Sequence, residues 1–154
     1  MQEERFAPPT GAFTRSVTIR FAHCDAAGIV YFPHYFDMFN GLIEDWYKEE
    51  LGHDYAQLIM GGRYAFPFVR IECDFKVPSM MGEVIELTLL VERIGRSSLG
   101  IAIVCHRQGT ERLRARMVTA MMSLDTRKPV PMPAPLRAAI EAYRHKTASA
   151  PPAP

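Results

Sequence analysis

A short segment near the N-terminus brings together three side chains that can do chemistry. His23, Cys24 and Asp25 are consecutive, and small residues and Gly28 follow them before an aromatic run begins at Tyr31. A carboxylate in such a loop can activate a water molecule or attack a carbonyl carbon. The alternative is an ordinary Asx turn, because Asp, Ala and Gly are common turn formers. The residue types alone leave both interpretations open.

Nucleophilic thiol chemistry and metal binding fit this segment less well. Adjacent residues of an extended chain point to opposite sides, so His23 and Cys24 are poorly placed to form a nucleophile–base pair. A lone cysteine is more often a buried, inert thiol. His23, Cys24, Asp25 and His34 lack the ligand spacing of a zinc site, so no bound metal is expected.

The elements that must position this loop follow from hydrophobic periodicity. Apolar and polar residues alternate through residues 13–21, which predicts a strand with one buried face. From Pro33 to Leu51 the apolar residues recur with helical spacing, which predicts a long helix with a broad apolar face. Pro33 suits the first turn of that helix, and Gly52 suits the left-handed position after its end.

The rest of the chain is predicted to be mostly strand. We expect strands over 65–77, 83–94, 99–107 and 112–125, and short helices over 54–60 and 136–145. Gln108-Gly109-Thr110 is a hairpin signal between the last two strands. A strand, a long helix and then a run of strands indicate an α+β domain. Because the helix is aromatic on much of its surface, we predict an antiparallel sheet of five to six strands wrapped around this one central helix.

Length and composition exclude several classes of protein. The chain has 154 residues, 48% of them hydrophobic, which suits one domain with a real core. Its formal net charge of +1 lacks the basic bias of a nucleic-acid binder, and no apolar run approaches the ~20 residues of a membrane span. Three separated cysteines favour reduced thiols and a cytoplasmic location. We expect a flexible arm at 1–12, one domain at 13–146 and a disordered tail at 147–154.

The segment FAHCDAAGIVYFPHYFDMF resembles the active-site segment of hotdog-fold acyl-CoA thioesterases of the 4-hydroxybenzoyl-CoA thioesterase type. The order of elements extends this resemblance over roughly residues 13–126, and Pro33 favours the 4-hydroxybenzoyl-CoA branch. The residues that fit the loop pattern are Asp25, Gly28, Ile29, Val30, Tyr31 and Tyr35.

The resemblance implies a hotdog fold and hydrolysis of an aromatic or short acyl-CoA thioester to the free acid and coenzyme A. It also implies assembly as a homodimer or homotetramer. Coenzyme A is then part of the substrate, and no separate cofactor is expected. A related branch has a histidine where this chain has Phe32, so the substrate preference of that branch is not transferred.

The resemblance also assigns roles to residues. Asp25 becomes the catalytic carboxylate, as nucleophile or general base, and the backbone amide of Phe32 becomes the donor to the substrate carbonyl. Gly28, Tyr31 and Tyr35 become substrate-binding residues.

The resemblance places a contact to the CoA phosphates at a turn. Arg96, Ser97 and Ser98 form this turn, although from the residues alone a solvated turn is as good an interpretation. Arg93 and Arg63 are poorer candidates for the same role.

Two other functions remain possible on the same fold. A non-catalytic acyl-CoA binding or scaffold protein would have no need for a carboxylate facing the thioester. A hotdog dehydratase would require a catalytic histidine with an acidic partner on the helix, and no such pair is clearly placed. Asp25 therefore favours the thioesterase.

Overall fold

One apolar helix organises the molecule. In the computed structural model, which describes residues 5–148, helix α1 spans Pro33–Asp45 and continues through a π-helical turn at Trp46–Glu50. Gly52 follows with φ of 75°, the left-handed conformation predicted for it. The buried side chains of α1 and the π-helical turn are Tyr35, Phe39, Leu42, Ile43, Trp46 and Tyr47.

A five-stranded antiparallel sheet covers this helix, in the spatial order β1-β4-β5-β6-β3. Its strands are β1 (Phe13–Thr18), β3 (Phe68–Phe75), β4 (Val84–Ile94), β5 (Ser98–Arg107) and β6 (Thr110–Ala120). The short strands β2 (Tyr64–Ala65) and β7 (Met122–Ser123) form a separate pair. Helix α2 spans Tyr55–Met60, and helix α3 spans Ala134–Ala148. The predicted α+β arrangement of five to six strands around one helix is confirmed.

Several boundaries differ from the predicted ones for reasons of hydrogen bonding. The first strand ends at Thr18, because Ile19 hydrogen-bonds outside the ladder. Its amide donates to the carbonyl oxygen of Glu83, and its carbonyl oxygen accepts from the amide of Gly82, each at 2.8 Å. The strand expected at 65–77 is divided near Pro67, which has no amide proton to donate to a ladder. The last helix is longer than the predicted 136–145 at both ends.

Part of the expected N-terminal arm lies against the hairpin of β5 and β6. Arg5 pairs with Thr110, and the amide of Phe6 donates to the carbonyl oxygen of Gly109 at 2.9 Å. The Phe6 ring also packs on the ring of buried His106, with 4.9 Å between centroids. The boundaries predicted for arm, domain and tail stay predictions, and residues 1–4 and 149–154 lie outside the described part.

Helix α3 is fixed to the sheet by one buried hydroxyl group. Tyr143 Oη accepts from the amide of Phe13 at 2.9 Å and donates to the carbonyl oxygen of Leu89 at 2.5 Å. Phe13 and Leu89 are themselves register partners of β1 and β4. Burial raises the pKa of Tyr143 to about 12, so the hydroxyl keeps its proton at neutral pH.

We expect Tyr143→Phe to lower the free energy of unfolding by about 1–3 kcal/mol, because the amide of Phe13 and the carbonyl of Leu89 lose a buried partner. Urea unfolding followed by circular dichroism measures this change. Tyr64→Phe is the matched control, since the Tyr64 hydroxyl makes no hydrogen bond within residues 5–148. Equal stability of the two variants would contradict the assigned role.

Candidate active site

The loop that carries Asp25 folds back on itself. The amide of Asp25 donates to the carbonyl oxygen of Ile29 at 3.0 Å, and that of Gly28 donates to the carbonyl oxygen of Asp25 at 3.0 Å. Gly28 has φ of 75°, which side chains other than glycine rarely adopt. Asp25 Oδ1 accepts from the amide of Ala27 at 2.9 Å. The Asx turn is therefore real, but within the described residues it leaves Oδ2 of the exposed carboxylate without a hydrogen-bond partner.

Asp25 lies at the edge of a cleft of about 490 Å³ between this loop, the start of α1 and the end of β3. The wall is largely aromatic: the Phe75 ring lies 6.4 Å from that of Phe32 and 6.2 Å from that of Tyr35, between centroids. The lining residues are Asp25, Ile29, Val30, Tyr31, Phe32, Tyr35, Phe75, Lys76, Val77 and Pro78. The cleft therefore suits an apolar, ring-containing group next to a carboxylate.

The amide of Phe32 lies at the N-terminus of α1 and makes no hydrogen bond among the residues that the structure describes. The next residue, Pro33, has no amide proton, and the amides of His34 and Tyr35 donate to Tyr31 and Phe32. A free amide at a helix N-terminus carries partial positive charge. It can therefore polarise a carbonyl group in the cleft.

Tyr35 is held in place from behind the cleft. Its side chain is buried, and its hydroxyl hydrogen-bonds the side chain of Ser79, which is itself fully buried. Burial raises the pKa of Tyr35, an effect that the Ser79 hydrogen bond opposes. The ring of Tyr35 consequently has a defined position in the cleft wall.

The thiols and His23 lie outside the cleft. His23 Nδ1 accepts from the amide of Arg20 at 2.9 Å, and Cys24 Sγ lies 3.4 Å from the Arg20 carbonyl oxygen. Neither residue lines the cleft. Burial raises the pKa of Cys73 to about 11 and that of Cys105 to about 12, so both thiols stay protonated at neutral pH. No cysteine of residues 5–148 therefore lines the cleft at Asp25.

A second loop, residues 78–83, supports the Asp25 loop. The amide of Val30 donates to the carbonyl oxygen of Ser79 at 3.0 Å, and the amide of Met81 donates to that of Gly28 at 3.0 Å. These two bonds flank Ile29, whose carbonyl oxygen holds the amide of Asp25. The position of the carboxylate therefore depends on the loop at 78–83.

Arg112, on β6, anchors this second loop. Its guanidinium donates to the carbonyl oxygen of Pro78 at 2.8 Å and to Glu83 Oε2 at 3.2 Å. Glu83 also accepts from the amide of Met80 and from Arg107, each at 2.6 Å. The hydrogen bond from the Met80 amide has the largest effect on the pKa of Glu83, and the hydrogen bond from Arg112 has the next largest. Both lower this pKa below its usual value, so the carboxylate stays ionised at neutral pH.

Neither the contact between Arg112 and Glu83 nor the place of Lys76 in the cleft was predicted from the sequence. Arg112 and Glu83 lie on different strands, and nothing in their local patterns marks them as partners. Lys76 lines the cleft and forms an ion pair with the buried carboxylate of Glu111, which Arg114 also contacts at 2.5 Å. Only the pairing of β3 with β6 reveals these contacts.

The turn at Arg96, Ser97 and Ser98 lies far from Asp25 within one chain. Strand β4 begins at Val84, beside the Asp25 loop, and ends at Ile94, next to this turn. An extended strand of this length spans roughly 33 Å at 3.3 Å per residue. The Arg96 side chain is exposed, and its carbonyl oxygen accepts from the amide of Met132 at 3.1 Å. The structure therefore does not join the two parts of the predicted site in one subunit.

Among residues 5–148, no group of three or more His, Cys, Asp or Glu side chains is arranged to hold a metal ion. No helix within the same range has the length and apolar character needed to cross a membrane.

Comparisons with known proteins agree with this geometry. Residues 19–140 match the family described as the thioesterase-like superfamily. A 1,4-dihydroxy-2-naphthoyl-CoA hydrolase of Synechocystis sp. is 29% identical over 133 residues, covering 84% of this chain and 95% of the relative.

Two solved structures have the same hotdog architecture. A 1,4-dihydroxy-2-naphthoyl-CoA thioesterase from Synechocystis superposes with a TM-score of 0.77 at 26% identity, covering 84% of this chain and 96% of that one. A thioesterase superfamily protein from Jannaschia sp. superposes with a TM-score of 0.79 at 26% identity, covering 92% and 97% of the two chains. These likenesses confirm the hotdog fold.

We expect Arg112→Met to lower kcat by roughly 10- to 100-fold with little change in KM, because small displacements of a reacting group are costly. Arg112 would then be a positioning residue, since it does not contact Asp25 and affects its position only through the loop at 78–83. Steady-state kinetics with benzoyl-CoA and thermal unfolding measure both effects.

Tyr143→Phe is the control for loss of stability, because it removes buried hydrogen bonds away from the cleft. Arg112→Lys is the second control and should recover part of kcat by restoring one charged donor. If kcat simply follows stability across these three variants, Arg112 has only a structural role.

Proposed function

Since the chain belongs to the thioesterase-like superfamily and is an acyl-CoA thioesterase, we propose that it hydrolyses an aromatic acyl-CoA thioester to the free acid and coenzyme A. The single observation that carries this proposal is the aromatic cleft that Asp25 lines at the N-terminus of α1, where the Phe32 amide has no hydrogen-bond partner among the described residues. The family match favours this enzyme over a non-catalytic scaffold. Coenzyme A arrives with the substrate, so we propose no separate cofactor.

Asp25 is the group that we assign to the chemical step. Its Oδ1 is engaged with Ala27, while Oδ2 has no hydrogen-bond partner in the described chain, and the residue lines the cleft. Oδ2 can either attack the thioester carbon or remove a proton from an attacking water molecule. When Oδ2 attacks, a mixed anhydride with the acyl group forms as the carbon–sulfur bond breaks, and water then cleaves this anhydride to the free acid and the Asp25 carboxylate. When Oδ2 acts as a base, water attacks the thioester carbon directly and the carbon–sulfur bond breaks. In both routes the departing thiolate takes up a proton that water supplies.

The Phe32 amide supplies the complementary charge. As the thioester carbon is attacked, negative charge develops on the carbonyl oxygen, and a fixed N–H donor stabilises that charge. Phe32 is well suited because the proline after it cannot donate and the following amides are already used. Gly28 helps by allowing the tight turn of the Asp25 loop, because its φ of 75° is a conformation that suits glycine.

The aromatic wall supports the choice of acyl group. Tyr31, Phe32, Tyr35 and Phe75 offer ring faces and edges to a planar substrate. The Synechocystis relatives are named for a two-ring aromatic CoA thioester. A cleft of about 490 Å³ has room for one or two rings, so both hydroxybenzoyl and hydroxynaphthoyl groups belong to the proposed substrate class.

We propose that the enzyme is a homodimer, which two such dimers can extend to a homotetramer. Strand β3 is at the edge of the sheet and exposes Val69, Ile71 and Phe75. An edge with apolar side chains and unpaired backbone groups invites pairing with a second copy. Because Phe75 also lines the cleft, that copy would lie beside the cleft and shield it from water.

A second subunit would also explain the distant turn at Arg96. The guanidinium of Arg96 and the hydroxyls of Ser97 and Ser98 suit the CoA phosphates, but one chain cannot bring them to its own Asp25. We propose that the phosphates are held by a subunit other than the one that supplies Asp25. All three cysteines are free, which supports the cytoplasmic location that we propose.

The substrate class is tested by CoA release from a panel of benzoyl-, 4-hydroxybenzoyl-, 1,4-dihydroxy-2-naphthoyl-, phenylacetyl- and fatty acyl-CoA thioesters. We expect kcat/KM to be at least ~10-fold higher for the aroyl thioesters than for the fatty acyl ones, because only planar rings can stack against the aromatic side chains of the cleft. A preference for fatty acyl-CoA would overturn the aromatic assignment. No release from any thioester would overturn the proposed function.

We expect Asp25→Asn to reduce hydrolysis by roughly 10²-fold or more, the effect of losing a positioned acid–base or nucleophilic group. The fold should persist, because an asparagine oxygen can still accept from the amide of Ala27. CoA release and the melting temperature are the two measurements. Asp45→Asn, on the exposed side of α1, is the matched control and should keep wild-type activity. Near wild-type turnover by Asp25→Asn would exclude Asp25 from the chemical step.

A further inference from the structure

One polar side chain of the loop at 78–83 is completely buried. Ser79 is 0% exposed, whereas Met80 and Met81, which follow it, are exposed. Ser79 is not among the residues that line the cleft at Asp25. Because a buried hydroxyl group is nearly always hydrogen-bonded, the contacts that Ser79 makes behind the cleft wall indicate what its side chain does.

Two groups from different elements contact the Ser79 hydroxyl. The hydroxyl of Tyr35, in the first turn of α1, hydrogen-bonds it, and Nη1 of Arg112, on β6, donates to Ser79 Oγ at 3.4 Å. Arg112 has closer acceptors in the carbonyl oxygen of Pro78, at 2.8 Å, and in Glu83, at 3.2 Å. The Tyr35 hydroxyl has no partner other than Ser79 among residues 5–148. The contact with Ser79 therefore matters more for Tyr35 than for Arg112.

The ring of Tyr35 connects this buried contact with the cleft wall. It stacks on the ring of Phe39, which is buried in the core, with 6.2 Å between centroids and 21° between planes. It also packs against the ring of Phe75, which lines the cleft, at 6.2 Å between centroids. These two rings limit the sideways movement of Tyr35, and the hydrogen bond ties its polar end to a residue outside the cleft lining.

The main chain of Ser79 has a separate role. Its carbonyl oxygen accepts from the amide of Val30 at 3.0 Å and so supports the Asp25 loop. A change of the side chain leaves this carbonyl group in place. Ser79 therefore contacts the site in two ways that can be tested apart. Its carbonyl oxygen supports the loop that carries the carboxylate, and its hydroxyl group holds a ring of the aromatic wall.

We propose that Ser79 is a positioning residue that determines specificity: by binding the Tyr35 hydroxyl, it keeps the aromatic wall in the arrangement that accepts a planar acyl group. Ser79 acts through Tyr35 and does not contact the substrate. Aromatic rings attract each other only in offset or edge-on arrangements with centroids about 4.5–7 Å apart, so a displaced Tyr35 ring binds a planar group less well. A flexible alkyl chain adapts to the changed wall. This inference rests on the proposed hydrolysis of an aroyl-CoA thioester and explains its selectivity.

Ser79→Ala tests the proposal by steady-state CoA release from benzoyl-CoA and hexanoyl-CoA. The variant leaves the Tyr35 hydroxyl without its partner, and we expect this hydroxyl to move toward water in the cleft. The KM for benzoyl-CoA should then rise roughly 5-fold or more, with kcat within about 2-fold of wild type, because ring binding is lost while the Asp25 loop keeps its support. The KM for hexanoyl-CoA should change little. Ser79→Cys, which keeps a weak hydrogen-bonding group, should give an intermediate KM and serves if Ser79→Ala does not fold.

A second substitution distinguishes this role from a purely structural one. Tyr35→Phe, introduced together with Ser79→Ala, removes the hydroxyl that lost its partner, and removing both partners of a buried hydrogen bond can be nearly neutral. We therefore expect the double variant to recover most of the benzoyl-CoA affinity. Thr88→Val is the matched control, because Thr88 is another fully buried hydroxyl residue, hydrogen-bonded to His106 and outside the cleft lining. It should lower the melting temperature without changing the ratio of the two KM values.

Binding of two non-hydrolysable thioethers, phenacyl-CoA and S-hexyl-CoA, separates this inference from the proposed hydrolysis. Isothermal titration calorimetry should show that Ser79→Ala weakens phenacyl-CoA binding roughly 5-fold or more and leaves S-hexyl-CoA binding unchanged. If the wild-type protein shows this behaviour but releases no CoA from any thioester, the proposed hydrolysis fails and the role of Ser79 stands.

Four results would overturn the role of Ser79. They are a wild-type protein without preference for phenacyl-CoA, an unchanged preference in Ser79→Ala, an equal loss of affinity for both thioethers, and a double variant that binds no better than Ser79→Ala. A fall in the benzoyl-CoA preference of Thr88→Val as large as that of Ser79→Ala would also overturn it, because the effect would then follow stability alone.

Discussion

The burial of α1 is the constraint on which the rest of the molecule depends. Its ring-bearing side chains, from Tyr35 to Tyr47, can leave water only if a curved sheet covers most of the helix surface. The sheet of β1, β4, β5, β6 and β3 does this. Covering the helix along its length leaves its N-terminal end at the margin of the sheet, where the Asp25 cleft forms.

A network of largely buried ion pairs accompanies that apolar packing. Glu83, Arg107 and Arg112 are mostly shielded from solvent, and each finds an oppositely charged partner. Their effect is local order rather than large net stability, because desolvation offsets much of the attraction between buried charges. They hold the loop at 78–83, which in turn holds Gly28 and Val30. The Asp25 loop therefore has a rigid support although Asp25 itself is exposed.

Much of the fold and the centre of the site could be predicted because the signals were local. The periodicity of α1, the left-handed Gly52 and the long strands each depend on neighbours in the chain. Asp25, Gly28 and Phe32 are similarly close in sequence, so one segment carried the carboxylate, the turn and the helix start together. The ends of strands were less predictable, because Ile19 leaves β1 for partners more than 60 residues away.

The sequence by itself therefore determined an antiparallel sheet around one helix, with a carboxylate a few residues before the N-terminus of that helix, since period and turn chemistry act over a few residues. Only the tertiary structure decided what supports and surrounds that site. Arg112 reaches Glu83 and Pro78 because β6 passes beside their loop. The separation of Arg96 from Asp25 likewise follows from the length of β4. Such contacts depend on strand order and side-chain direction, which no local pattern encodes.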